Sequence, residues 1–209
     1  MRYVVGLWRL ATAFVCLASV SVAWHAVNYW VFFTFQTGLL LGFVMLWAGA
    51  ASLLDGRQPP AWLKGCVTLF IIVTGLVAWL ILPPDDPATA KYVFGIMTNI
   101  LLHRVAPIMA VIDFLLFDKH RRIGWTYPLT WLLYFPVYLA FVLIRGWLWP
   151  HSGPRAGGDP YPYGFIDPTQ ISWEQLAINC VGMLAGFAIL GLVIFLIDRI
   201  LPAKPLVGR

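Results

Sequence analysis

Charged residues are what this sequence has least of. Asp, Glu, Lys and Arg make up 11% of its 209 residues and hydrophobic residues 61%, where a soluble globular domain carries roughly a quarter charged. The mean hydropathy is +0.81. That balance excludes a water-soluble domain, and no stretch between the apolar runs is long enough to bury a separate soluble core. A single membrane-embedded domain over residues 1–209 is expected. The little charge there is leans basic, +5 overall, which in so apolar a chain is a topology signal; nucleic acid is not an expected partner. Cysteine is scarce too: Cys16, Cys66 and Cys180 fall in three different apolar runs with no C-x-x-C or metal-ligand spacing, which argues against disulfides and a thiolate-bound metal. No G-x-S-x-G, H-E-x-x-H or phosphate-binding glycine motif occurs. His25, His120 and His151 stand at span ends or in links, and no two histidines share helical spacing, so no metal or haem is expected. The reading calls for no cofactor. Internal repeats and low-complexity tracts are absent as well.

What is present is a series of six apolar runs, at residues 4–24, 32–54, 63–82, 92–117, 128–148 and 175–197, each close to the roughly 20 residues that cross a bilayer. Turn-forming DGRQPP ends the second and PPDDP the third. The first follows Arg2 and has small residues at Ser21 and Ala23, as a secretory signal does, but its apolar core is longer than a signal's and contains Arg9, so it is counted as a span. The expected fold is all-α, a six-helix transmembrane bundle. The longest link, 149–173, is rich in Pro, Gly, Tyr and Trp and includes YPYGFIDP; it is expected to cap the bundle at the membrane interface. Most of the tryptophans lie near span ends, where they anchor at the interface. One side of the membrane collects Arg2, Arg9, Arg57, Lys64, Lys119, Arg121, Arg122, Arg199, Lys204 and Arg209. The other keeps Lys91, Arg145 and Arg155 with Asp85, Asp86, Asp159 and Asp167. The positive-inside rule then puts both termini in the cytoplasm.

The fourth run holds what an apolar helix should not contain: Asn99, His103, Arg104, Pro107 and Asp113. Intramembrane ionisable groups usually face a bundle interior or a wet cavity, so this run is the expected site. Asn99 and His103, four apart, share a helix face. Pro107 brings no amide proton and crowds the carbonyl of His103, which loosens the backbone beside the imidazole. A threonine hydroxyl becomes a nucleophile when a base takes its proton, and His103 is the only histidine deep in a span. Thr34 and Thr37, near the start of the second span, both qualify as its partner. Upright helices would separate Thr34 and His103 by roughly 10 Å in depth, a gap that tilt would have to close. The opposing reading is structural, since intramembrane threonines often bond their own helix and a lone histidine often joins two helices. Asp113 lies roughly 15 Å along the helix from His103, too far to be a triad acid. Arg104 points about 100° away from His103, towards a substrate carboxylate or an ion pair with Asp113 or Asp198. Arg145 is expected to snorkel, or to meet a lipid head group or Asp167.

Three segments, FFTFQTGLLLG, NILLHRVAP and YPYGFIDP, together resemble the androgen-induced membrane hydrolase family and its six-span bacterial branch. The resemblance implies a threonine hydrolase that cleaves fatty acid esters of hydroxy fatty acids, with Thr34 as nucleophile and His103 as base. One departure is that His103 stands four residues before Pro107, where the family motif has five. The resulting expectation is a lipid ester hydrolase in a bacterial cytoplasmic membrane. Its pocket opens from the outer leaflet, its substrate contacts are Asn99, Arg104 and Arg145, and its partners are membrane lipids and the lipid ester. Two rival readings are a structural membrane partner and a non-enzymatic lipid-binding or transport protein; the latter would show a polar path running on through Asp113.

Overall fold

In a computed structural model, residues 1–83, 87, 90–155 and 158–207 are described, and six helices are long and apolar enough to cross a membrane. They are α1 Arg2–Trp24, α2 Phe33–Leu53, α3 Ala61–Leu80, α4 Thr98–Phe117, α5 Tyr127–Leu148 and α6 Trp173–Ile200. Asp85, Asp86 and Arg209, which entered the charge map, lie outside the described residues. The chain is thus read as an integral membrane protein. Consecutive helices alternate in direction: Arg9 near the start of α1 bonds Ser52 near the end of α2 and Asp113 near the end of α4. One face of the bundle, the terminal face, carries the N-terminus and the links after α2 and α4. The other, the site face, carries residues 25–32 and the described residues of 81–97 and 149–172.

Apolar side chains surround α2 and α6 on every side, the pattern of a helix with lipid or protein all round. Small residues bring α1 and α2 together. A Cβ on Gly42 or Gly49 would stand 2.7 Å from Leu17 Cδ2 or Leu10 Cδ2, so larger residues would hold the backbones apart. The main core joins α2, α3, α5 and α6 through Phe33, Phe70, Trp131, Tyr138 and Ile194, and the 149–172 link inserts Tyr161, Tyr163 and Ile166 into it. The link is therefore a plug sunk into the site face rather than a cap lying on it. Arg145 fastens that plug, donating to the carbonyls of Ser152 (2.8 Å) and Pro160 (3.3 Å) and to Asn28 Oδ1 (3.1 Å).

Several helices depart from the expected spans, three of them for a reason visible in the structure. Residues assigned to the start of the fourth run form a hairpin instead, β1 Tyr92–Val93 against β2 Ile96–Met97. Phe94 and Gly95 turn it with φ of 51° and 77°, the positive angles a two-residue hairpin needs. Apolar content alone did not distinguish these six residues from helix, and α4 begins only at Thr98. The fifth helix is broken between Trp131 and Tyr134. Pro136 has no N–H for the Leu132 carbonyl, which accepts from Phe135 N at 3.1 Å instead and tightens the turn. Finally, α6 starts at Trp173 rather than 175, because Ser172 Oγ accepts from Gln175 N at 3.1 Å and caps its first turn.

Candidate functional site

The site is assembled at the first turn of α2. Phe32 is extended and offers no side-chain cap, so the opening amides of α2 have no intrahelical acceptor. Two tyrosines cover that end. The Tyr138 hydroxyl donates to Val31 O at 2.9 Å, and the Tyr163 hydroxyl faces the Thr34 hydroxyl and the amides of Phe33 and Thr34. Burial pushes the Tyr163 phenol above its ordinary value, against the opposing pull of Thr34. Near neutral pH it is a protonated donor.

Thr34 and His103 meet, with Oγ1 3.0 Å from Nε2. The depth gap expected from the sequence closes because α4 starts at Thr98, which puts His103 in its second turn, not a dozen residues in. The helix around the imidazole is a π-turn over Leu101–Val105, in which Ala106 N reaches back to Leu101 O. Such turns recur at functional sites and at insertions in the helical ladder. Pro107 leaves the His103 carbonyl without its usual i+4 donor. That carbonyl and the proline ring lie against Gly75 of α3, where a Cβ would come within 3.0 Å of both His103 O and Pro107 Cγ. Gly75 is what lets α3 approach the loosened turn.

Of the two threonines, Thr37 is fully buried and engaged elsewhere, donating to Thr34 O at 3.2 Å and sharing a 3.0 Å bond with Thr74 Oγ1. It ties α2 to α3, whereas Thr34 opens on two cavities. One, of about 240 Å³, is apolar and lined by α2, α3, α5, α6 and the 149–172 link. The other, of about 1360 Å³, runs along α3 and α4 to the site face. His103, Asn99 and Arg104 line the second cavity with Lys91 and Arg155. Among the described residues its wall carries no carboxylate.

Arg104 therefore faces a cavity. The ion pairs expected for it are taken by other groups. Asp113 accepts from Arg9 Nε at 2.8 Å and from Lys64 Nζ, while Asp198 Oδ2 accepts the amides of Arg122 and Ile123, each at 3.0 Å. Arg145 is not drawn to the site and serves the plug. Arg9 and Lys64, counted with the flanking basic residues, are instead buried, and both also pair with Asp118. Neither of the two cavities beside Thr34 includes Asp113. No group of three or more His, Cys, Asp or Glu that would hold a metal occurs among the described residues.

Sequence reasoning gave no role to Tyr163, Tyr138 or Gly75. For Tyr163 a signal existed, since it lies in YPYGFIDP, a segment too aromatic for an ordinary link. Gly75 and Tyr138 sit in uniformly apolar runs that offer none. No protein-family model, no curated protein and no solved structure matches the sequence. The likeness to the androgen-induced hydrolases rests on its three motifs alone.

Proposed function

We propose that this chain is an intramembrane lipid ester hydrolase working through an acyl-threonine. The observation that carries this reading is the 3.0 Å approach of Thr34 Oγ1 to His103 Nε2 where an apolar cavity and a wider one with a mixed polar and apolar wall both reach Thr34. With the proton on Nδ1, His103 Nε2 accepts the Thr34 proton while Oγ1 attacks the ester carbonyl. The negative charge on the carbonyl oxygen develops near the Tyr163 hydroxyl, which faces Thr34 at the positive end of α2. His103 then returns the proton to the departing alcohol as the C–O bond breaks. A water, deprotonated by the same nitrogen, attacks the acyl-threonine and releases the carboxylic acid and free Thr34. Asn99 and Arg104 line the cavity through which the alcohol departs, and Arg104 suits the carboxylate that the family resemblance implies.

The same reading assigns the protein to a bacterial cytoplasmic membrane with both termini inside, on the basic residues Lys119, Arg121 and Arg122 beside α4. A reporter fused after Arg122 is expected to behave as internal and one inserted near Gly158 as external; reversed signals at both would invert the orientation. For the chemistry, a fluorophosphonate is expected to label Thr34, because such probes need an activated hydroxyl. Thr34→Ala and His103→Ala each remove labelling and lower ester hydrolysis at least about 10³-fold, and the double variant is no less active than either one. Thr37→Ala keeps both. A folded wild type that neither labels nor cleaves any of a range of lipid esters, in detergent or bilayers, would leave lipid binding as the better reading.

A further inference from the structure

The apolar cavity beside Thr34 has few polar groups in its wall. Thr34, Thr74, Tyr138 and Tyr163 cluster where it meets the site, and carbon lines nearly all the rest. Between α5 and α6 it is walled by two rings, Phe135 of α5 and Phe187 of α6, with centroids 4.3 Å apart. Phe135 is braced in turn by Phe33 and Phe70, each at 5.4 Å. Thr34 and Phe187 both line this cavity, so the space extends from the reacting hydroxyl across to α5 and α6. A chain attached to Thr34 would lie in it between these helices.

The size of this space bears on what fits. A dry engineered cavity of about 150 Å³ holds benzene, six heavy atoms, or about 25 Å³ per atom. At that density the 240 Å³ beside Thr34 takes about ten carbons. Val181 and Leu184, which border it, are 69% and 39% exposed on the lipid-facing side of α6, giving a chain a sideways way in from the membrane.

Building on the threonine-hydrolase reading, we infer that this cavity holds the acyl half of the ester, that it selects chains of about eight to ten carbons, and that Phe135 and Phe187 set the limit. The alcohol half is left to the wide cavity on the other side of Thr34. A chain that fills the space up to the rings makes the most contacts and reacts fastest. Beyond them the chain must displace the rings or turn out between Val181 and Leu184.

The test compares p-nitrophenyl esters of four to sixteen carbons with the purified full chain. The wild type is expected to peak at eight to ten carbons and to be at least tenfold slower at sixteen. Phe187→Ala moves the peak outward by about three carbons, and Met183→Trp, which fills the cavity from α6, moves it inward by a similar amount. A second measurement does not need turnover: decanoate carrying a terminal diazirine is photolysed with the Thr34→Ala protein, and its adducts are expected between Val181 and Phe187. If esters are hydrolysed with no length preference, or with one that neither variant moves, the inference is overturned while the threonine hydrolase stands. Adducts confined to other helices overturn it as well. If no ester is cleaved but decanoate still marks α6, the acyl site holds and the hydrolase reading fails.

Discussion

The two ends of α4 bury polar groups in opposite ways. At the terminal face, Asp113 and Asp118 meet Arg9 and Lys64, and Arg9 also donates to Ser52 and to Gln58. Every charge there has a counter-charge, and neither cavity reaches it. At the site face, Thr34 and His103 carry no formal charge when the imidazole is neutral, yet they open on two cavities and are overlooked by Arg104. Both ends contain a π-turn, Leu101–Val105 and Asp113–Phe117, so the distorted helix is not what separates them. The difference lies in space. Charge density in a membrane helix marks a fastening as readily as a reaction centre, and an adjoining cavity tells which one is present.

Substitutions sharpen this contrast, the largest effect first. Thr34→Ala is expected to remove hydrolysis by at least about 10³-fold while leaving the melting temperature of the detergent-solubilised protein nearly unchanged. Asp113→Asn should do the reverse. Leaving two buried cations to one carboxylate costs about 3–5 kcal/mol, seen as a melting temperature lower by roughly ten degrees, with kcat/KM per folded molecule within twofold of wild type. An Asp113→Asn protein that melts normally but has lost activity would erase the distinction between the two ends. The smallest effect is that of Tyr163→Phe, which keeps the ring in the plug and deletes one donor. It should lower kcat about 10²-fold with little change in KM. A change in KM alone would make Tyr163 a substrate contact rather than a stabiliser of the transition state.

The six spans were legible because hydropathy over about 20 residues is a strong signal. The loosened backbone beside His103 was legible because proline chemistry is local. The choice between Thr34 and Thr37 was not, because it depends on which side of α2 faces α4 and where α4 begins. The hairpin at Tyr92–Met97 hid that starting point behind residues as apolar as a helix. Arg9 and Lys64 read only as positive charge of one membrane side because their partners are distant in sequence; Arg9 and Asp113 are 104 positions apart. Arg145 read as a substrate or head-group contact because nothing local identifies Ser152, Pro160 and Asn28 as its acceptors.

That separation bears on how the chain is made. At about 5–20 residues per second, synthesis takes roughly 5–20 s to pass from Arg9 to Asp113. During that interval α1 and α3 enter the membrane carrying cations with no counter-charge, each costing about 2.5–3.5 kcal/mol at mid-membrane. Both cations lie close to the terminal face, within reach of its water, so the early helices can wait with these side chains turned outward. Only the arrival of α4 draws them in, and the same helix brings His103 to Thr34. The helix that neutralises these cations is therefore also the helix that brings His103 to Thr34, and a nascent chain halted before α4 has neither the ion pairs nor the base.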